Sequence, residues 1–246
     1  MRQSPRLKTV RLVYRPAEDR SMTFVPTRAF IHPDNVTLEC PAPGFGYVRI
    51  SSFNEQTLPD LVDRLKGFAH TDPELKGLVL DLRANGGGVL QDAVGVASDF
   101  LPHDTVVVSV EDRQPKNSHV YRATYADYRR PAFTADPLAD LPAIFKTVPL
   151  IVLTNAQSVS VTEVLAAALQ DTHRAVVMGS ATFGKGTIQV TAPLTGGAGL
   201  MLSARHHHSR HTANASPMHR ACRRSRWRQA QRRHLAPGAW RLTRRR

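Results

Sequence analysis

Cysteine is nearly absent from this sequence: Cys40 and Cys222 stand far apart, outside any C-x-x-C or Cys/His ligand spacing. A disulfide framework and a structural zinc site are thereby excluded, and no metal is expected. Long apolar runs are missing too. No stretch approaches the roughly 18 consecutive apolar residues of a membrane span, and the first thirty positions hold no apolar block ahead of a small-residue cleavage site. The chain therefore reads as soluble, without a transmembrane segment or signal peptide. No acidic residue stands beyond Ala204, where thirteen Arg and six His are found. The net charge of +13 thus resides in residues 205–246, and the body before them is balanced. A basic stripe across a folded surface, the usual footprint of nucleic-acid binding, is excluded for the body.

What is present between Gly46 and Ala204 is an alternation of strand-like and helix-like periods, the pattern of an α/β domain. Tyr47 to Ser51 alternates as a strand does. Leu58, Leu61, Val62, Leu65 and Phe68 then recur on one face of a helix that begins near Thr57. Gly77 to Leu82 is a short buried strand, ended by Asn85-Gly86-Gly87-Gly88. Leu90, Ala93, Val94, Ala97 and Phe100 restore the helical period. A second cycle runs from the strand Pro149 to Leu153 into a helix carrying Val161, Val164, Leu165 and Ala168. Arg174 to Met178, Thr187 to Val190 and Gly199 to Ser203 read as further strands. Glu111 to Phe145 is polar and proline-punctuated, which predicts a long surface connection.

Three segments carry residues suited to chemistry. In Asn155-Ala-Gln-Ser158-Val-Ser160-Val-Thr-Glu163, a hydroxyl sits where a strand turns into a helix, beside free N–H groups and the positive end of the helix dipole. Ser160-x-x-Glu163 is equally a capping box, and both readings stand. Lys185 lies between Gly184 and Gly186, where glycines allow close approach of another chain segment. A lysine amine drawn out of water loses stabilisation of its charged form, which suits it to accept a proton from serine. Asn85-Gly86-Gly87-Gly88 offers successive N–H groups able to hold an oxyanion, although a flexible turn has the same composition.

Taken together, Asp81-Leu-Arg83-Ala-Asn85-Gly-Gly87-Gly88, Ser158-Val-Ser160-Val-Thr-Glu163 and Phe183-Gly-Lys185-Gly-Thr-Ile-Gln189 resemble, in order and spacing, the motifs of the C-terminal processing, or tail-specific, serine proteases. The resemblance runs from about Lys8 to Arg205. It implies a crotonase-like α/β core and a serine endopeptidase that cleaves proteins near their C-terminal tails. It also implies a Ser-Lys dyad: Ser160 as nucleophile, Lys185 as base and Gln189 orienting the lysine amine. Oxyanion donors would be Gly87 or Gly88 and Val161, Asp171 would be supporting, and Ser158 is the rival nucleophile. The partners implied are peptide substrates with free tails, with no cofactor, in a periplasm or cell envelope.

Residues 1–32 resemble only the last two strands of the family's PDZ domain, residues 33–204 the catalytic domain. Weak tail selectivity is expected, because the ligand-binding part of the PDZ domain has no counterpart. Residues 205–246 are expected to be disordered, since like charges repel and few apolar residues offset the ordering cost. Two other functions compete. Gly179-Ser-Ala-Thr-Phe-Gly184-Lys185 fits a P-loop, but Gly186 replaces its Ser or Thr and a strand, not a helix, follows. Trp227 and Trp240 among arginines could stack on bases, although the segment has no fold signature and no specific nucleic acid is expected. His206, His207, His208 and His211 read as a solvated run in preference to a metal site.

Overall fold

The computed structural model describes residues 12–14, 22–25, 34–112, 114–193 and 199–208. These fall into two compact units, one of residues 35–188 with 205–208, the other of the preceding segments with 189–204. The larger unit is built on a five-stranded sheet. Its strands are β3 (Val36–Ala42), β4 (Phe45–Ile50), β5 (Gly77–Asp81), β8 (Leu150–Thr154) and β9 (Val176–Gly179), in the order β3-β4-β5-β8-β9. β3 is antiparallel to β4, and the other neighbours are parallel. Parallel neighbours need crossover helices, and the sequence supplies them. They are α1 (Thr57–Thr71) after β4, α2 (Leu90–Phe100) after β5 and α4 (Val161–Asp171) after β8.

Each helix exists because its apolar residues recur at helical spacing and meet the sheet. Leu58, Leu61, Val62, Leu65 and Phe68 of α1 are all buried, and Pro59 falls in the first turn, where its missing N–H costs no helical bond. Full burial of such a side chain contributes about 1.5–3 kcal/mol. Strand β5 is central and shielded throughout, with Leu78 and Leu80 in the core. Phe100, Leu165, Leu169 and Val152 extend the same core to α2, α4 and β8.

The segment from Glu111 to Phe145 is more than the surface connection its composition predicts. Strand β6 (Val106–Asp112) pairs antiparallel with β7 (His119–Arg122), and α3 (Tyr125–Tyr128) follows. Tyr128 and Phe145 are buried, because Pro and polar residues punctuate a segment whose aromatics still reach the core. Arg174, expected in a strand, instead donates to Phe100 O at 3.0 Å, Phe145 O at 2.7 Å and Val148 O at 2.8 Å, tying this segment to the end of α2. Strands β3, β6 and β7 have no counterpart among the sequence expectations.

In the smaller unit, β1 (Leu12–Tyr14) and β2 (Met22–Phe24) form an antiparallel pair. Strand β10 (Thr187–Pro193) neighbours β11 (Gly199–His208). β11 runs on past Ala204, pairing Arg205 to His208 with Asp112 to Ser109 of β6. Four residues of the expected tail are therefore strand, since backbone pairing needs no apolar side chains. Residues 209–246 lie outside the described residues, as do Cys222, Trp227, Trp240 and His211. Among the described residues no helix is long and apolar enough to cross a membrane.

Candidate active site

Three loops leave the C-terminal ends of β4, β5 and β8 and meet. In an open α/β sheet this edge is where ligands bind. The β8–α4 turn is held by Asn155, whose Oδ1 accepts the N–H groups of Ala84 at 2.9 Å and Gln157 at 3.0 Å. Ser158 is fully buried. Its Oγ donates to Leu82 O at 2.8 Å and accepts the Asn155 N–H at 3.1 Å. Ser158 is thus a brace between two loops, with its hydroxyl proton already committed.

Two residues on, Ser160 is half-buried at the N-cap of α4 with φ of 62° and ψ of −122°. A non-glycine residue in that region costs on the order of 1–3 kcal/mol, and such strain gathers at functional turns. A strand-to-helix elbow of this kind thrusts a serine hydroxyl outward. Val161 follows as the first helical residue, where a backbone N–H has no carbonyl one turn back.

The β5–α2 turn closes on Ser160 from the other side. Gly87 has φ of 93°, and a Cβ there would lie 2.8 Å from Val159 O and 3.0 Å from Ser160 Cβ. Only glycine lets the two turns touch. Asn85, fully buried, fastens them: its Nδ2 donates to Ile50 O at 2.9 Å, and its Oδ1 accepts from Gly87 N–H at 2.9 Å and Thr162 Oγ1 at 2.8 Å. Its carbonyl accepts the Val159 N–H at 3.0 Å. Gly88, with φ of 146°, bridges to Phe53 of the β4–α1 loop.

The run between β9 and β10 completes the cluster through Glu163. This buried carboxylate accepts the N–H of Ser160 at 2.8 Å and of Lys185 at 2.9 Å on Oε2, and that of Gly184 at 2.6 Å on Oε1. The Phe183 N–H donates to Ser158 O at 3.1 Å. Glu163 therefore does more than cap a helix, since it binds the serine turn and the lysine loop to one group.

The description of the match across residues 44–216 reads "Peptidase family S41". The chain belongs to peptidase family S41. A carboxyl-terminal-processing protease of Synechocystis sp. is 32% identical over 182 residues, 72% of this chain and 38% of that protein. A carboxy-terminal-processing protease of Bartonella bacilliformis is 36% identical over 160 residues, 64% of this chain and 33% of that protein. The solved structure of a photosystem II D1 C-terminal processing protease matches with a TM-score of 0.56 at 27% identity, over 82% of this chain and 51% of that one. The chain so spans between a third and two fifths of the length of these two curated relatives. The fold is the crotonase-like α/β core that the motifs imply.

Within this S41 core, the residues expected at the site are distributed unevenly. Ser160, Val161 and Gly87 adjoin one another, Gly88 contacts Phe53 beside them, and the backbone of the half-buried Lys185 shares the Glu163 carboxylate with Ser160. The Gly87 N–H donates to Asn85 Oδ1 at 2.9 Å, and the residue lines the junction. Asp171 ends α4, a helix whose eleven residues place it about 16 Å along the axis from Ser160, too far for direct contact. Gln189 is an exposed residue of β10 and belongs to the smaller unit. The P-loop reading fails where Thr187 opens a strand. The asparagine hub went unread in the sequence, where its only signal is a polar residue between a buried strand and glycines.

Just outside the junction, Asp81 is fully buried at the end of β5. Burial raises its carboxyl, but hydrogen bonds from Arg83 and Tyr47 outweigh that and bring it down to about 2. Arg83 Nη2 lies 2.6 Å and Arg49 Nη1 3.4 Å from Oδ2. Asp92, in α2, is also fully buried; burial pushes its carboxyl up to about 6 despite Arg130, whose Nη2 is 3.1 Å away.

Proposed function

We propose that the chain is the catalytic core of a serine endopeptidase that hydrolyses peptide bonds near the C-terminal tails of proteins, with Ser160 as nucleophile and Lys185 as base. The observation that carries this reading is the Glu163 carboxylate, which takes one N–H from the strained serine and two from the lysine loop. It holds a hydroxyl-bearing elbow and a basic residue in one fixed frame, as a nucleophile–base pair needs.

Ser160 Oγ attacks the scissile carbonyl carbon, and its proton passes to the Lys185 amine. The N–H groups of Gly88 and Val161 receive the developing oxyanion, a contribution of about 3–4 kcal/mol per donor in such sites. Collapse breaks the C–N bond as the lysine ammonium delivers its proton to the leaving amine. Water then attacks the Ser160 ester, giving a proton to Lys185, and Oγ recovers that proton as the acid departs.

Ser160→Ala and Lys185→Ala should each abolish peptide hydrolysis while leaving far-UV dichroism and the melting transition in place. Ser158→Ala should retain turnover and lower stability by about 1–3 kcal/mol, because it leaves buried groups without a partner. Activity that survives in Ser160→Ala and disappears in Ser158→Ala would reverse the assignment.

A further inference from the structure

Asp92 and its partner Arg130 take no part in the steps assigned to Ser160 and Lys185. An acid in the first turn of a helix is ordinarily accounted for by the helix dipole. This one is fully buried, and a buried charge is tolerated only where it is paired. What its partner joins together gives the pair a further use.

Phe53 and Gly88 form a parallel bridge, in which the Phe53 N–H donates to Gly87 O at 3.0 Å and the Val89 N–H donates to Phe53 O at 3.0 Å. The two backbones touch, since a Cβ on Gly88 would lie 1.8 Å from Phe53 O. The bridge uses the groups on either side of Gly88 and leaves the Gly88 N–H untaken among the described residues. Where that N–H stands is therefore set by Phe53. One guanidinium holds both sides of the bridge. Arg130 Nη2 donates to Glu55 O, two residues beyond Phe53, and lies 3.1 Å from Asp92 Oδ1, four residues beyond Gly88. The Arg130 side chain is 11% exposed, and its guanidinium lies 4.6 Å over the Phe133 ring. The contact with Asp92 lacks hydrogen-bond alignment, and Arg130 Nε has no partner among the described residues. An ion pair satisfied so incompletely contributes little net stability. What it does supply is a fixed span between the β4–α1 loop and the start of α2.

We propose that Arg130, with Asp92 as its counter-charge, is a positioning residue for the reaction: by tying Glu55 to the first turn of α2 it keeps the Phe53–Gly88 bridge closed and the Gly88 N–H where the oxyanion develops. The proposal rests on the Ser160–Lys185 reading, with Gly88 as a donor. A donor that shifts away from the oxyanion withdraws a bond made in the transition state and not in the bound peptide, which lowers kcat and spares KM.

The test removes both charges together, because Arg130→Met alone leaves Asp92 buried without a counter-charge and puts the fold itself at risk. In the full chain carrying Asp92→Asn and Arg130→Met, kcat for a short peptide should fall by about 100-fold while KM stays within about threefold. Affinity for a peptide boronate, whose tetrahedral adduct with Ser160 puts an oxygen at the oxyanion position, should fall with kcat. A kcat within about threefold of the parent, a loss carried by KM with kcat intact, or a boronate affinity that stays while kcat falls would each overturn the proposal. If the unsubstituted chain neither cleaves the peptide nor takes the boronate, the proposed function fails on its own. Amide hydrogen exchange then decides whether Arg130 holds the bridge: the Phe53 and Val89 N–H groups should lose protection by about tenfold or more in the doubly substituted chain, while those of Leu78 and Leu80 in β5 keep theirs. Protection unchanged at Phe53 and Val89, or lost equally in β5, overturns it.

Discussion

Glu163 and Asp99 are carboxyl groups buried to the same degree on helices that pack together, α4 and α2, yet their surroundings are opposite. Glu163 accepts three backbone N–H groups. Neither carboxyl oxygen of Asp99 has a hydrogen-bond partner among the described residues. The nearby Lys146 amine donates to Ser98 O at 2.9 Å and Leu101 O at 2.8 Å instead. Burial consequently drives the Asp99 carboxyl well above the usual carboxylate range, against the pull of Lys146, and burial also lowers Lys146. Tyr128 is raised by burial and by its hydrogen bond to Asp136. Burial alone thus says little about what an acid does. The donors around it decide whether it organises a site or stays a neutral filler of the core.

The comparison is broken most directly at Glu163. Glu163→Gln replaces an acceptor oxygen by a donor that faces an N–H group, so the serine turn and the lysine loop lose part of their common anchor. Turnover is expected to fall by about 100-fold or more, in kcat more than in KM, because misplacement by an ångström has that effect. Steady-state kinetics beside a melting curve provide the check; a kcat within threefold of the parent would show that the anchor is dispensable.

Asp99→Asn should act in the other direction. The folded carboxyl is raised above its unfolded value, so folding takes up a proton and the chain loses stability as pH rises beyond that unfolded value. Asparagine removes the slope. At neutral pH the variant should melt higher by a few degrees, a gain on the order of 1 kcal/mol, and the gain should disappear below the pH at which the unfolded acid is protonated. A lower melting point at neutral pH would mean that Asp99 works as a charge.

The smallest effect is expected at Asp81, whose carboxyl is held at about 2 by Arg83 and Tyr47 in spite of burial. Its contribution is fully present above the unfolded value near 3.8 and is lost as pH falls toward 2. Urea unfolding should therefore show a loss of stability across that acid window, and Asp81→Asn should flatten it. An unchanged slope in the variant would leave the network without energetic weight.

How much of this was legible beforehand depends on how local each cause is. Helices α1, α2 and α4 and strands β4, β5 and β8 follow from periods that a short window contains, and the proposal of Ser160 and Lys185 rests on motifs in order. Strand β3 escapes because most of its residues are exposed and it lies at the sheet edge, so no alternation marks it. β7 escapes because its exposed His119 and Val120 read as loop, and only pairing with β6 makes them a strand. At the site, Ser160-x-x-Glu163 announces a cap. That the same carboxylate also receives Gly184 and Lys185 depends on where a loop twenty-odd residues later returns, which no local pattern encodes.

The meeting of three loops at the ends of β4, β5 and β8 has a consequence for the life of the chain before it is folded. Phe53, Asn85, Gly87 and Ser160 become neighbours only after three parallel strands from distant parts of the sequence have found their register. Parallel pairing of this kind comes late, because long loops must close first. A nascent or partly unfolded molecule then carries a serine without its surroundings. On the proposed function, the late assembly of the sheet would act as a built-in delay on peptide hydrolysis.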